Sequence, residues 1–304
     1  MSAVSCLRSA LGMALITLAP TGSAQTTTPL SGHYPPGQSG IRGAATPDPG
    51  FSYTNFSRFF TNLEVRDAGG NVVGQVDELR YANISMITWT TAIEVLGMKY
   101  GALAGVPFVT GNLRASGEDT ASSGFGLGDI LLTPVSLYGK SHAFDYQFQF
   151  TVWSASGHFE PGSLENRGTG FWALVYSIGG VYYPQGRDSW SVSAIARIEQ
   201  NFEQKTTHIS PGDDIVIDWG IGRVVHAGAR AVDVGVSGFA MWQITAQNGG
   251  ANVDTSRSRY FGAGPEASVS FFESLGLRVR AQWEFASYNA VRGHNLWVVL
   301  NYRW

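Results

Sequence analysis

Residues 276–286 read Gly-Leu-Arg-Val-Arg-Ala-Gln-Trp-Glu-Phe-Ala. Leu277, Val279, Ala281, Trp283 and Phe285 fall on one side of an extended chain, and Arg278, Arg280, Gln282 and Glu284 on the other. A period of two marks a strand with two chemically different faces. Residues 143–153 repeat it, with Phe144, Tyr146, Phe148, Phe150 and Val152 opposite Asp145, Gln147, Gln149 and Thr151. So do residues 189–202, where Trp190, Val192, Ala194, Ala196 and Ile198 oppose Ser191, Ser193, Arg197, Glu199 and Asn201. Strands of soluble sandwiches run about 5–6 residues. A tilted membrane crossing needs about 9–11, apolar toward lipid and polar toward a wet interior. The lengths select a membrane barrel, and the mid-strand charges require its inner face to be hydrated.

Outward from these three, twelve segments are predicted as strands: 51–63, 78–89, 95–109, 127–138, 143–154, 170–183, 189–202, 214–225, 231–245, 259–272, 276–287 and 295–304. Glycines dilute the pattern in 95–109 and 214–225. The connections alternate between longer ones (64–77, 110–126, 155–169, 203–213, 246–258, 288–294) and tight turns (90–94, 139–142, 184–188, 226–230, 273–275). Such alternation fits a twelve-stranded antiparallel up-and-down transmembrane β-barrel of the bacterial outer-membrane type, with long extracellular loops and both termini periplasmic. Two aromatic girdles are expected. Trp89, Tyr138, Phe144, Tyr146, Tyr183, Trp190, Phe272, Tyr302 and Trp304 form one, and Trp242, Tyr260, Phe261, Trp283 and Phe285 the other. The final strand alternates through Leu296, Val298, Leu300 and Tyr302 to a terminal Trp304. That ending resembles the signal by which the barrel-assembly machinery recognises its clients, and Leu300, Tyr302 and Trp304 are its candidates.

The composition agrees. Only 14% of the 304 residues are charged, there are 38 glycines and 9 tryptophans, and just three basic residues are Lys. The net charge of −3 gives no electrostatic footprint for nucleic acid. Residues 1–24 read as a secretory signal peptide, with Arg8, an apolar stretch at 11–20 and small residues before Gln25. The single cysteine, Cys6, lies within it and excludes a disulfide framework. The barrel would span 51–304. Residues 25–50 hold five prolines and form neither a helix nor a ladder of any length. A disordered periplasmic tail is one reading of this segment. The other is that 33–50 tucks into the periplasmic mouth as a partial plug, with His33, Tyr34 and Ile41 as anchors.

Twelve strands enclose a passage between the filled interior of eight-stranded barrels and the wide pore of 16–18 strands. Its lining is expected to carry Glu78, Arg80, Lys99, Asp145, Gln147, Gln149, Arg197, Glu199, Asp218, Asp233, Arg278, Arg280, Gln282 and Glu284. Of these, Arg278, Arg280, Glu284, Asp145, Gln147, Gln149, Arg197 and Glu199 are the lumen and selectivity candidates. Charges paired across neighbouring strands and a selectivity constriction of mixed sign remain two readings of the same lining. No metal or cofactor pattern is present: no HExxH, GxSxG elbow, P-loop or EF-hand appears. His158 with Ser163 and Asn166 is the one grouping that suggests rim catalysis, and its spacing does not match outer-membrane phospholipases. Asp213 and Asp214 read as a solvated loop pair.

Three stretches resemble the outer-membrane barrel family known as the MetA-pathway of phenol degradation, often labelled a transporter. The first is His33-Tyr34-Pro35-Pro36-Gly37-Gln38-Ser39-Gly40-Ile41, then Pro47-Asp48-Pro49-Gly50-Phe51 and Asp67-Ala68-Gly69-Gly70-Asn71. The second is Gly126-Leu127-Gly128-Asp129 with Thr133-Pro134, and the third Ser156-Gly157-His158-Phe159 with Asn166 and Gly170-Phe171-Trp172. Residues 154–157 lack the proline usual there. The resemblance implies passive passage of small, often aromatic or apolar, organic solutes across the outer membrane by a non-enzyme. A structural or adhesive barrel with a closed lumen is the alternative, and a rim phospholipase the third.

Overall fold

The computed structural model describes residues 32–115, 121–161, 163, 166–228, 230–249, 255–272 and 274–304. The expected signal peptide with Cys6, and residues 25–31 after it, lie outside the described residues. The chain forms β1 (Gly50–Arg66), β2 (Val72–Val95), β3 (Met98–Ala115), β4 (Ala121–Leu127), β5 (Leu131–Lys140), β6 (Phe144–Trp153) and β7 (Ala173–Tyr182). It continues as β8 (Trp190–Asn201), β9 (Asp214–Ala227), β10 (Arg230–Gln243), β11 (Arg259–Ser270), β12 (Leu275–Tyr288) and β13 (Ala290–Arg303). Every pairing between these strands is antiparallel, and β4 and β5 both lie along β3 as two halves of one crossing interrupted at 128–130. The barrel therefore has twelve strands. It closes because β1 pairs with both β2 and β13, and β2 with β3. Closure pairs every strand but the short β4 on both sides among the described residues, the condition for a sheet to stand in hydrocarbon.

Alternation places the residues as the sequence pattern requires. Phe148, Val279, Trp283 and Phe285 face outward at 38–63% exposure, whereas Gln147, Arg280 and Gln282 are buried inside. Phe51 stacks on Trp89 and on Trp304, and Trp304 on Tyr302, in an aromatic band at the end where β1 begins and β13 finishes (the termini end). Three expected girdle rings instead turn inward: Tyr138 is 4% and Tyr183 3% exposed, and Tyr260 packs edge-on against the buried Phe239. A bulge between Leu132 and Val135, at Pro134, shifts the alternation ahead of Tyr138. Tyr183 shares the parity of the buried Val181, and its hydroxyl donates to Asp145.

Two connections are shorter than expected. Residues 64–77 are mostly strand, because Asp67 accepts the amides of Gly69 and Asn71 and the Asn71 side chain, closing a tight turn. Residues 90–94 likewise continue β2, and the hairpin turns at Leu96 and Gly97, both at positive φ. β2 and β3 thus run on past the start of β1 at the termini end.

Phe148 lies midway along β6 on the lipid side, so Phe148→Arg is expected to cost about 2–4 kcal/mol. Urea unfolding of the detergent-refolded barrel measures this; Phe148→Leu is expected to leave the midpoint nearly unchanged.

Candidate functional site

A segment rich in proline and glycine cannot satisfy its own main chain, so once enclosed it needs partners from the wall. Residues 32–49 run inside the barrel and find them. Asp48 pairs with Arg303 at the termini end, and the Thr46 hydroxyl donates to the Gly139 carbonyl. Arg42 donates to the carbonyls of Arg187 and Ser189, while His33 meets Glu199. Ser189 and Glu199 are ten residues apart along one crossing, about 33 Å at 3.3 Å per residue. The segment therefore threads deep toward the long-loop end, beyond the mouth where the sequence placed it.

Carboxylates on the wall take the segment's N–H groups level by level. Asp214 accepts from the Gly32 amide at 3.1 Å, and Glu199 from those of His33 (2.6 Å) and Tyr34 (3.1 Å). Asp218 accepts from the amides of Gly37 (2.8 Å) and Ser39 (3.1 Å) and from the Tyr34 hydroxyl (2.5 Å). Glu266 takes the Ile41 amide at 3.0 Å, and Asp145 that of Thr46 at 3.3 Å. Arginines take the carbonyls: Arg280 donates to Gly37 O at 2.5 Å and Arg278 to Ser39 O at 3.1 Å. These two arginines, Arg197 of the wall and the segment's own Arg42 also pair with acids of the wall. Arg197 lies 3.2 Å from Asp218, Arg278 3.2 Å and Arg280 3.7 Å from Glu266, and Arg42 2.5 Å from Asp233. Charge-assisted bonds of this kind are the stronger class.

Shape follows the same logic. Gly220 and Gly222 of β9 face inward beneath Ile41; a β-carbon at Gly220 would stand 2.7 Å from Ile41 Cα, and one at Gly222 2.6 Å from its side chain. The glycines that weaken the alternation in 214–225 are therefore a slot for the segment. Gly37 and Gly40 adopt positive φ, and side chains there would strike Gln282 and Glu266.

Toward the loop end, His33 lies between Glu199 (3.1 Å) and Asp129 (3.4 Å), stacked on Trp153 and edge-on to Phe171. Burial by itself favours the neutral ring, yet the hydrogen bonds and charges of Asp129 and Glu199 outweigh it and push the pKa up to about 9. The ring is thus a cation at neutral pH. Asp129 also accepts the amides of Gly157 and Thr169, so the Gly-Asp stretch at 128–129 and the loop from Ser154 to Trp172 converge on His33. Gly157 and Gly168 touch backbone to backbone, too close for a side chain on either.

Beside the segment a cavity of about 600 Å³ remains. Its far wall is neutral: Ser52, Thr54 and Phe56 of β1, Met86 and Thr88 of β2, Leu103 of β3, Thr133 and Tyr138 of β5, Gln147, Gln149, Thr151 and Trp153 of β6, and Val175 and Ser177 of β7. Toward the loop end it meets the packed group of Ile84, Leu103, Leu131, Trp153, Ala173 and Val175. The charged residues lining it are Arg42, Arg197, Asp233 and Arg278, all in the ion pairs above.

Of the sequence candidates, Arg197, Glu199, Arg278, Arg280 and Asp145 contact the segment, while Gln147 and Gln149 line the cavity. Glu284 instead accepts the Gly293 amide and the Asn295 side chain. Glu266 and Asp129 were not singled out; the parity of 259–272 puts Glu266 on the polar face, and Asp129 stands in a motif already noted. Asp214 is no solvated loop residue but a buried acceptor, 3% exposed. No group of three or more His, Cys, Asp or Glu among the described residues is arranged to hold a metal ion.

The fold is similar to that of the COG4313 outer membrane channel from Pseudomonas putida F1, with a TM-score of 0.68 and 12% identity, over 89% of this chain and 100% of that one. It is also similar to the β domain of the Bordetella autotransporter BrkA, with a TM-score of 0.51 and 10% identity, over 85% and 100%. No curated protein matches the chain. The family model described as "Putative MetA-pathway of phenol degradation" matches residues 61–300. With its closed twelve-stranded barrel, this chain belongs to the MetA-pathway of phenol degradation family of outer-membrane β-barrels.

Proposed function

We propose that this protein is a passive, non-enzymatic outer-membrane channel for small neutral solutes, aromatic and apolar ones among them, partly occluded by its own N-terminal segment. The observation that carries this reading is the sorting of the lumen into two sides. The charges of β8–β12 that line the cavity are engaged with residues 32–46 or with one another, and the wall facing them is neutral and partly apolar. Small-molecule sites are commonly such concave, mostly apolar spaces with a few polar groups. A solute following the β1–β7 side would meet hydroxyls and amides first, then Met86, Leu103 and Trp153. The neighbour from Pseudomonas putida F1, an outer membrane channel, has the same architecture. On this reading the termini face the periplasm, and Leu300, Tyr302 and Trp304 serve recognition by the assembly machinery before the barrel meets lipid.

In planar bilayers, deletion of residues 25–48 is expected to raise single-channel conductance severalfold. Unchanged conductance and solute flux would falsify the occlusion. A barrel silent both with and without the segment would favour the closed structural role. Gly222→Val, which fills the slot under Ile41, is expected to move conductance part of the way toward the deletion.

The protonated His33 also ties this occlusion to pH. Its pKa is raised above the ordinary 6.5, so its contribution to docking is complete below about pH 6.5 and fades as pH climbs through about 9. Conductance should therefore rise between pH 7 and pH 10, and His33→Gln should abolish the step while raising the baseline at pH 7.

A further inference from the structure

On the lipid side of β1 and β2, a polar patch interrupts an otherwise apolar wall. Tyr53, Asn55 and Ser57 alternate with the inward Thr54, Phe56 and Arg58; Tyr81, Asn83 and Ser85 alternate with Ala82, Ile84 and Met86. The register sets Asn55 opposite Ser85 and Ser57 opposite Asn83. The Asn55 amide donates to Asn83 Oδ1 at 3.0 Å, and the Asn83 amide to Asn55 Oδ1 at 2.9 Å. The Tyr53 hydroxyl lies 3.0 Å from Ser85 Oγ, and Ser57 Oγ 3.1 Å from the Tyr81 hydroxyl. Asn55 and Ser57 are four and six residues from Phe51 of the aromatic band, about 13 and 20 Å along the strand. Allowing for a tilt of about 40°, both sit near the middle of the apolar band of about 25 Å.

Polar side chains at that depth are costly, because hydrocarbon offers no hydrogen bonds. The internal ladder meets part of that cost: each carboxamide nitrogen reaches a tyrosine, a serine and the other asparagine, and each Oδ1 accepts twice, yet all six side chains stay partly exposed on the lipid face. The register flanks the patch with outward Leu300 and Val298 on β13 and Phe108 and Val106 on β3, so an apolar rim surrounds it.

We propose that this β1–β2 face is where two copies of this chain meet in the membrane. Copies inserted in the same direction can be related only by a two-fold axis along the membrane normal, so each residue meets counterparts at its own depth. The polar patch then faces itself. Its side chains are neutral, and each is both donor and acceptor, so the surface is self-complementary; a charged partner would find no countercharge. Small and polar side chains are also the means by which membrane segments pack closely without a hydrophobic driving force.

The test is cysteine cross-linking of the full chain in native outer membranes, in a Cys6→Ser background. Ser57→Cys and Ser85→Cys are compared singly with Phe148→Cys and Val279→Cys on other walls. Under mild oxidation, or with a short bis-maleimide, a band of twice the chain mass is expected severalfold more strongly at 57 and 85 than at 148 and 279. Adding Asn55→Leu with Asn83→Leu should abolish it while the barrel keeps its heat-modifiable migration. Monomers at all four positions, equal dimers at all four, adducts of another mass at 57 and 85, or dimers that survive loss of both asparagines would each overturn the proposal.

Discussion

Every main-chain N–H and C=O in this molecule must find a partner where bulk water is scarce, and that single demand shapes both the wall and its contents. In the wall the demand is met by closure: β1 bonds to β13 on one side and β2 on the other. In the lumen the segment 32–49 has no neighbouring strand to bond with, and Pro35 and Pro36 have no N–H to give. Its amides go instead to Asp214, Glu199, Asp218, Glu266 and Asp145. Its carbonyls go to Arg278 and Arg280. The lumen charges are thus largely complements of a backbone.

This accounts for the sorted lumen. Bare charges facing a narrow passage would hold a tight water shell and resist neutral solutes. Here the acids are engaged by amides and arginines, and Tyr34 lies under Arg197, its ring centre 4.1 Å from the guanidinium carbon. The remaining space is bounded by hydroxyls, carboxamides, a thioether and aromatic rings.

Much of this was legible in the residues. Period-two alternation in 143–153, 189–202 and 276–286 located strands and assigned faces, because a two-residue repeat leaves no freedom once one face is apolar. The legibility failed where the period itself breaks. Pro134 and its bulge turn Tyr138 into the lumen, and no count of alternating residues reveals a bulge in advance. The turn at Asp67–Asn71 was quoted as a motif, but its power to extend β1 and β2 lies in side-chain bonds of Asp67 that depend on spatial closure. Glycines in 214–225 looked like a weak strand, since the atoms that need their space belong to a residue some 180 positions earlier. The polar positions Asn55 and Asn83 likewise carry no message until the register sets their strands side by side.

The grip on the segment is mostly through its main chain, and this has an evolutionary consequence. Any residue but proline at position 39 or 46 still presents the same amide to Asp218 or Asp145, and the native side chain there adds a second bond, Ser39 with Arg197 and Thr46 with the Gly139 carbonyl. The acids of the wall have no such latitude, nor have Gly37 and Gly40, where a methyl group has no room. Among homologues, substitution within the segment should therefore fall where only the amide is gripped and spare the acids of the sleeve around it.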